Sequence, residues 1–92
     1  MKQEFNLEEL KNYVESNEFV EGDKIYCRQY PNLFFIYEPN NDLSVVDQFV
    51  AYYEDGNELF ADGALSEFIE EKDDYLFSKE PYRLSPKDLS IE

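Results

Sequence analysis

The stretch from Leu43 to Phe60 decides the fold, and it reads Leu-Ser-Val-Val-Asp-Gln-Phe-Val-Ala-Tyr-Tyr-Glu-Asp-Gly-Asn-Glu-Leu-Phe. Its apolar side chains recur at the spacing of one helix face, at Val45, Val46, Phe49, Val50 and Tyr53. This spacing predicts a helix over 43–55, with Asn41 or Asp42 as its N-cap. Gly56 would then be the left-handed residue just beyond the end of the helix.

The same stretch also admits a β-hairpin. Residues 49–54 are rich in side chains that favour strands, and Asp55-Gly56-Asn57 is a turn sequence that would lead the chain back through Leu59 and Phe60. The two interpretations exclude each other for residues 49–55. We favour the helix and keep the hairpin as the alternative.

The N-terminal residues predict a first helix. Asn6 is a suitable N-cap, and Glu9 lies three residues later, as in a capping box. Phe5 and Leu10 have the spacing of a hydrophobic staple across the start of the helix. The buried stripe is expected to consist of Leu7, Leu10, Tyr13 and Val14.

The residues that follow predict an antiparallel hairpin. Residues 24–30 alternate, with Ile25 and Cys27 on one face, and Pro31-Asn32 is the expected turn. Residues 33–37 are apolar on both faces, which is typical of a strand that is buried on both sides or covered by a partner on one. Cys27 lies on the same face of the first strand as Ile25, and it is best interpreted as a small buried hydrophobic residue.

A third helix is predicted from Ala64 to about Asp74, followed by a tail in which Tyr82 and Leu84 are able to pack as an edge strand. The predicted fold class is therefore α+β: an N-terminal helix, a small antiparallel sheet made of a β-hairpin plus this possible edge strand, and two further helices. We expect residues 1–92 to form a single compact domain, with a tail that is flexible from about residue 78.

Composition excludes several classes of function. The 92 residues carry 22 acidic and 8 basic side chains, for a formal net charge of -14, which is the wrong sign for direct binding of nucleic acid or an anionic membrane. There is no histidine and one cysteine, so a Ser-His-Asp triad, an imidazole metal ligand and an internal disulfide are all excluded. No acidic run has the spacing of an EF-hand loop. We expect no enzymatic activity, no cofactor and no metal site.

The location is predicted from the same sequence. The longest apolar run, residues 33–37, is too short to span a bilayer, and the first four residues do not lead into the apolar core of a signal peptide. We expect a cytoplasmic protein.

Negative charge is segregated along the chain. Residues 4–23 hold seven acids and one lysine, and residues 54–74 hold nine acids and one lysine. Carboxylates four residues apart on a helix are separated by about 6 Å along its axis, a spacing comparable to that of backbone phosphates. We expect the two segments to form one anionic patch that fits a basic groove built for nucleic acid. The alternative is a solvated acidic surface that only maintains solubility.

The run Ser44-Val45-Val46-Asp47-Gln48-Phe49-Val50 resembles the second helix of the small acidic phage anti-CRISPR proteins that inhibit the type II CRISPR effector nuclease. The similarity extends back through Glu38 and Ile36 to Asn32, and forward to an acidic segment with Glu67-Phe68. It implies an order of helix, sheet and two helices, and a monomer that acts in the bacterial host cell. It also implies that carboxylates after Gly56 pair with basic side chains of the nuclease that would otherwise contact DNA.

These observations favour an acidic DNA-mimic inhibitor that occupies the DNA-binding cleft of a nucleic-acid enzyme, first of all a CRISPR effector nuclease. The candidate partner-binding residues are Glu58, Asp62, Glu67, Glu70, Glu71 and Asp74. One alternative is an immunity protein or antitoxin that neutralises a basic toxin nuclease. Another is an acidic regulatory module unconnected with nucleic acid.

Overall fold

The computed structural model describes residues 2–69 and 75–82, and these contain one α-helix, six β-strands and two short 3-10 helices. The strands are β1 (Glu4–Asn6), β2 (Lys24–Cys27), β3 (Tyr30–Tyr37), β4 (Phe49–Asp55), β5 (Glu58–Ala64) and β6 (Leu76–Ser78). The helix is α1 (Leu7–Glu15), and the 3-10 helices cover Val45–Gln48 and Leu65–Glu67.

All six strands belong to one antiparallel sheet with the order β1-β6-β2-β3-β4-β5. The last described strand, β6, lies inside the sheet between the first two strands of the chain. Phe77 at its centre pairs with Phe5 on one side and with Cys27 on the other. Strand β5 therefore forms one edge of the sheet, and the short strand β1 forms the other.

The predicted fold class is wrong. We expected an α+β domain with an N-terminal helix, a small sheet and two further helices, whereas the described residues are mostly β and contain a single α-helix. The order of elements implied by the anti-CRISPR resemblance is wrong for the same reason. No helix among the described residues is long and apolar enough to cross a membrane.

The stretch from Leu43 to Phe60 adopts the hairpin that we had kept as the alternative. Helical structure is limited to the 3-10 turn Val45–Gln48, and β4 begins at Phe49. Along β4 the fully buried Phe49 and Ala51 alternate with half-buried residues, which is the two-residue period of a strand.

Strand pairing explains why the helical spacing did not prevail. Strand β3 lies inside the sheet, where its backbone pairs with β2 on one side and with β4 on the other. Phe35 pairs with Ala51, and Tyr37 pairs with Phe49, so β4 completes the sheet next to β3. Tertiary pairing of this kind overrides local propensity, because much of a strand's stability comes from its cross-strand neighbours.

The N-terminal helix is confirmed together with its cap. The Glu9 backbone N–H donates to Asn6 Oδ1 at 2.8 Å, and the Asn6 N–H donates to Glu9 Oε1 at 3.0 Å, which completes the capping box. Leu7 and Leu10 are buried in the same cluster as Phe5. These signals are local in the sequence, and they act locally in the structure.

The first predicted hairpin is confirmed, but its turn was placed wrongly. Cys27 pairs with Tyr30, so the turn is Arg28-Gln29 and not Pro31-Asn32. Pro31 and Asn32 lie at the start of β3, ahead of Phe34, where pairing with β4 begins. A proline is tolerated there because no ladder hydrogen bond to β4 is required of it.

The core lies on the face of the sheet that α1 covers. Its fully buried aromatic residues are Phe5, Phe35, Phe49 and Phe77. Cys27 is also fully buried, as the alternation predicted, and burial raises the pKa of its thiol. The opposite face carries a half-buried row of rings, Tyr26, Phe34 and Tyr52, with centroids 6.3 and 6.0 Å apart.

The predicted third helix is absent wherever the chain is described between Ala64 and Asp74. Strand β5 continues to Ala64, Leu65–Glu67 form a single 3-10 turn, and residues 70–74 lie outside the described residues. The predicted edge strand is also wrong at Tyr82, which lies outside any strand and donates its hydroxyl to Glu4 Oε2 at 2.7 Å. Leu84 lies outside the described residues.

Candidate functional site

The outer end of the β4–β5 hairpin is exposed throughout, and we call residues 53–62 the arm. Its strands keep a regular register to the tip, with Tyr53 opposite Phe60 and Asp55 opposite Glu58. Gly56 has a φ of 68° at the first central position of the two-residue turn, where type II′ hairpin turns place glycine. The arm is therefore a paired two-stranded ribbon that continues past the core.

The arm is strongly acidic. It carries Glu54, Asp55, Glu58 and Asp62 and no basic residue. Within residues 2–69 and 75–82, none of these four carboxylates forms an ion pair, because the pairs present there involve other acids. The negative charge of the arm is therefore not neutralised by any basic side chain of the described residues.

Two of the four carboxylates face each other at the tip. Asp55 and Glu58 are direct cross-strand partners, a relation that places the Cβ atoms about 4.5–5.5 Å apart. Like charges in this position destabilise a hairpin. The tip therefore combines a glycine turn that favours the hairpin with an acidic pair that opposes it.

Alternation gives the arm two different faces. We call the side with Tyr53, Asp55, Glu58 and Phe60 the ring face, because its two rings are stacked with centroids 5.4 Å apart. Glu54 and Leu59 oppose each other on the other side, and we call this the leucine face. Tyr53 and Phe60 remain 36% and 37% exposed, so the ring pair is only partly covered.

Two of the predicted partner-binding residues, Glu58 and Asp62, lie on the arm and are exposed. Glu67 has a local structural role. Its Oε2 accepts a hydrogen bond from the Ala64 N–H at 3.0 Å, and its carboxylate lies against Gly63. The other three predicted residues, Glu70, Glu71 and Asp74, lie outside the described residues.

The acids of the N-terminal segment and those of the arm lie on different elements. Helix α1 packs on the core face of the sheet and reaches the 3-10 turn Val45–Gln48 that precedes β4. Phe19 packs between Phe5 of β1 and Phe49 at the start of β4, whereas the arm extends from the other end of β4. The expectation that the two acidic segments form a single patch stays a prediction, because residues 70–74 of the second segment lie outside the described residues.

Several carboxylates near the N-terminal segment are already paired. Glu9 contacts Lys2 at 2.5 Å, and Asp23 contacts Lys79 at 3.4 Å. The hydrogen bond from Lys2, followed by that from the Asn6 backbone, lowers the pKa of Glu9. The arm lacks such pairs among the described residues and is the stronger candidate for a contact with a basic partner.

The site residues predicted from the sequence did not include Glu54, Asp55, Tyr53 or Phe60. The signal was present, because the hairpin alternative placed a turn at Asp55-Gly56-Asn57. Only a two-residue turn at Gly56-Asn57 within that stretch sets Tyr53 and Phe60 opposite each other. Preference for the helix instead assigned Tyr53 to a buried stripe.

Comparisons with protein-family models, with curated proteins and with solved structures each returned no match.

Proposed function

We propose that this chain is a non-enzymatic inhibitor that mimics DNA and occupies the basic nucleic-acid-binding cleft of a partner enzyme. The arm is the element that enters the cleft. The observation that carries this proposal is an exposed ribbon with four carboxylates, no basic residue and no ion pair to any other described residue. Its two strands lie about 4.8 Å apart, so the ribbon is slim enough to enter such a cleft.

Electrostatics supports a basic partner. The formal net charge of -14 attracts cationic surfaces over long range, and a cleft lined by lysine and arginine concentrates that attraction. Charge-steered association is fast at low ionic strength and slows as salt screens it. A nucleic-acid enzyme is the partner class that offers such a cleft.

A type II CRISPR effector nuclease is the first partner to test, on the resemblance of residues 44–50. That run is a 3-10 turn and the start of β4, so the helix of the resembling family does not carry over. Among the acids after Gly56 that the resemblance implies as partner-binding, Glu58 and Asp62 are exposed on the arm.

The test compares two triple variants of equal charge. Asp55→Lys, Glu58→Lys and Asp62→Lys reverse the charge of the arm, whereas Glu15→Lys, Glu18→Lys and Glu21→Lys make the same change at exposed positions near α1. DNA cleavage by the guide-loaded CRISPR effector nuclease is measured with each purified protein, and a panel of basic toxin nucleases is assayed in parallel.

We expect the arm variant to lose inhibition and the α1 variant to keep most of it. Circular dichroism is used to check that both variants fold. Full inhibition by the folded arm variant, or absence of inhibition of every nuclease by the unmodified chain, contradicts the proposal.

A further inference from the structure

Exposed apolar side chains are concentrated on the arm. The large hydrophobic residues that are exposed in the described part of the chain are Val20, Leu43, Tyr53, Leu59 and Phe60, and the last three belong to the arm. A ribbon that acts through charge alone does not need exposed rings. The arm therefore has a second component besides its carboxylates.

The ring face brings this apolar component next to the acids. Tyr53 and Phe60 stack with an interplanar angle of 23°, and the cross-strand pair Asp55–Glu58 follows immediately toward the tip. Cross-strand aromatic pairs stabilise hairpins, so part of the role of the rings is structural. That role does not account for two like charges placed directly beside them.

We propose that the ring face binds an arginine side chain of the partner. The guanidinium group lies over the exposed rings, and its N–H groups donate to the carboxylates of Asp55 and Glu58. The cation relieves the repulsion between these two acids. This inference rests on the proposed function, because it names the group that the basic partner supplies.

Arginine fits this face better than lysine does. Its guanidinium is planar, stacks on aromatic rings and donates hydrogen bonds in a fork that matches carboxylates. An ammonium group is a compact, strongly hydrated charge that gains less from a ring surface. We therefore expect the face to discriminate between two cations of equal charge.

Other occupants of the arm are less compatible with its chemistry. A second copy of the chain would bring together two molecules of net charge -14. A strand added to the free edge of β5 would meet the bulge near Gly63, where the register with β4 shifts between Val50 and Tyr52. Bulges and edge charges are features that oppose strand addition.

The first experiment measures the cation preference directly. The isotope-labelled full chain is titrated in 50 mM sodium chloride with blocked peptides Gly-Arg-Gly-Arg-Gly and Gly-Lys-Gly-Lys-Gly, and ring and amide resonances are followed by NMR. We expect the arginine peptide to bind about two- to fivefold more tightly, as an exposed cation–π contact allows, and to shift Tyr53 and Phe60. Equal affinities, or shifts confined to α1, overturn the inference.

Removal of the rings should abolish the preference. Tyr53→Val with Phe60→Val keeps strand-forming side chains but removes the aromatic surface. We expect this double variant to bind both peptides equally and with the affinity that the original chain has for the lysine peptide. A retained preference for arginine in the folded variant contradicts the inference.

A matched pair of single variants tests the face without removing a ring. Glu58→Gln neutralises a carboxylate on the ring face, and Glu54→Gln makes the same change on the leucine face. We expect the Glu58 variant alone to lose the preference for arginine. If both single variants weaken binding of the arginine peptide equally, the inference that the ring face recognises arginine is overturned. The proposed charge-driven inhibition is not affected by that result. If the arm charge-reversal variant still inhibits the nuclease, the proposed function fails instead.

Discussion

Gly63 and Glu67 show how a surface carboxylate can serve local structure. The Glu67 carboxylate accepts a hydrogen bond from the Ala64 N–H. It also lies so close to Gly63 that a Cβ added there would come within 2.6 Å of Glu67 Oε2. Gly63 also has a φ of 97°, outside the range that L-residues adopt readily. Glu67 therefore closes the turn after β5, although the sequence analysis had placed it among the partner-binding acids.

We expect Gly63→Ala to destabilise the protein by about 2 kcal/mol or more, because backbone strain adds to displacement of the Glu67 carboxylate. Gly56→Ala is the matched control, since its φ of 68° lies in the left-handed region and nothing lies within 4 Å of its added Cβ. We expect Gly56→Ala to lower the free energy of unfolding by about 1 kcal/mol. Urea denaturation measures both free energies of unfolding, and a smaller loss for Gly63→Ala than for Gly56→Ala contradicts this account.

We expect Cys27 to be inert toward thiol reagents in the native protein. Its side chain is fully buried, and burial raises the pKa of the thiol, so the reactive thiolate forms only after the sheet opens. Reaction with a chromogenic disulfide reagent at pH 8 should be slower than in 6 M urea by about a hundredfold or more. Comparable rates in the two conditions would show that β2 opens readily.

At the scale of elements, α1 and β4 differ in what specifies them. The capping box of α1 lies within four residues, so Asn6 and Glu9 predict it from the sequence alone. Strand β4 depends on β3, which precedes it by more than ten residues, and its local spacing favoured a helix. The site was missed for the same reason, since the ring face exists only once Tyr53 and Phe60 are paired.

Strand β4 is divided into a buried half and an exposed half. Phe49 and Ala51 are fully buried, whereas Tyr53, Glu54 and Asp55 are exposed. We expect amide hydrogens in the arm to exchange about a hundredfold faster than those of Phe35 and Ala51, because exposed ribbon ends open locally without unfolding the core. Hydrogen exchange followed by NMR measures this difference. Uniform protection along β4 and β5 would contradict a separate arm.

At the scale of the whole molecule, sheet order determines which charges lie together. The insertion of β6 between β1 and β2 places β1 and β5 at opposite edges, while α1 packs across the sheet face against β6 and the 3-10 turn Val45–Gln48. Strand order is a long-range property that composition does not encode. The charge count therefore predicts the sign of the surface, whereas the relative position of the two acidic segments depends on strand order and on how α1 packs.

The net charge of -14 has a direct consequence for stability. We expect the melting temperature to rise by about 2–8 °C between 20 and 500 mM sodium chloride, because screening relieves roughly 0.5–1 kcal/mol of repulsion in a domain of this length. Differential scanning calorimetry checks the shift.

The triple variant Asp55→Asn, Glu58→Gln and Asp62→Asn should show a smaller rise, since three charges are removed from one ribbon. A melting temperature that stays constant or falls with salt would mean that the acids do not repel one another in the folded state.

The alternation of the arm carries an evolutionary implication. Along β4, the face on which a side chain lies is set by whether its position is an odd or an even number of residues from Ala51. One extra residue in each strand would therefore turn the aromatic pair and its acidic neighbours toward the side that Leu59 now occupies, while the interior stayed untouched. The tip can thus be re-aimed by a paired insertion, without any rebuilding of the scaffold beneath it.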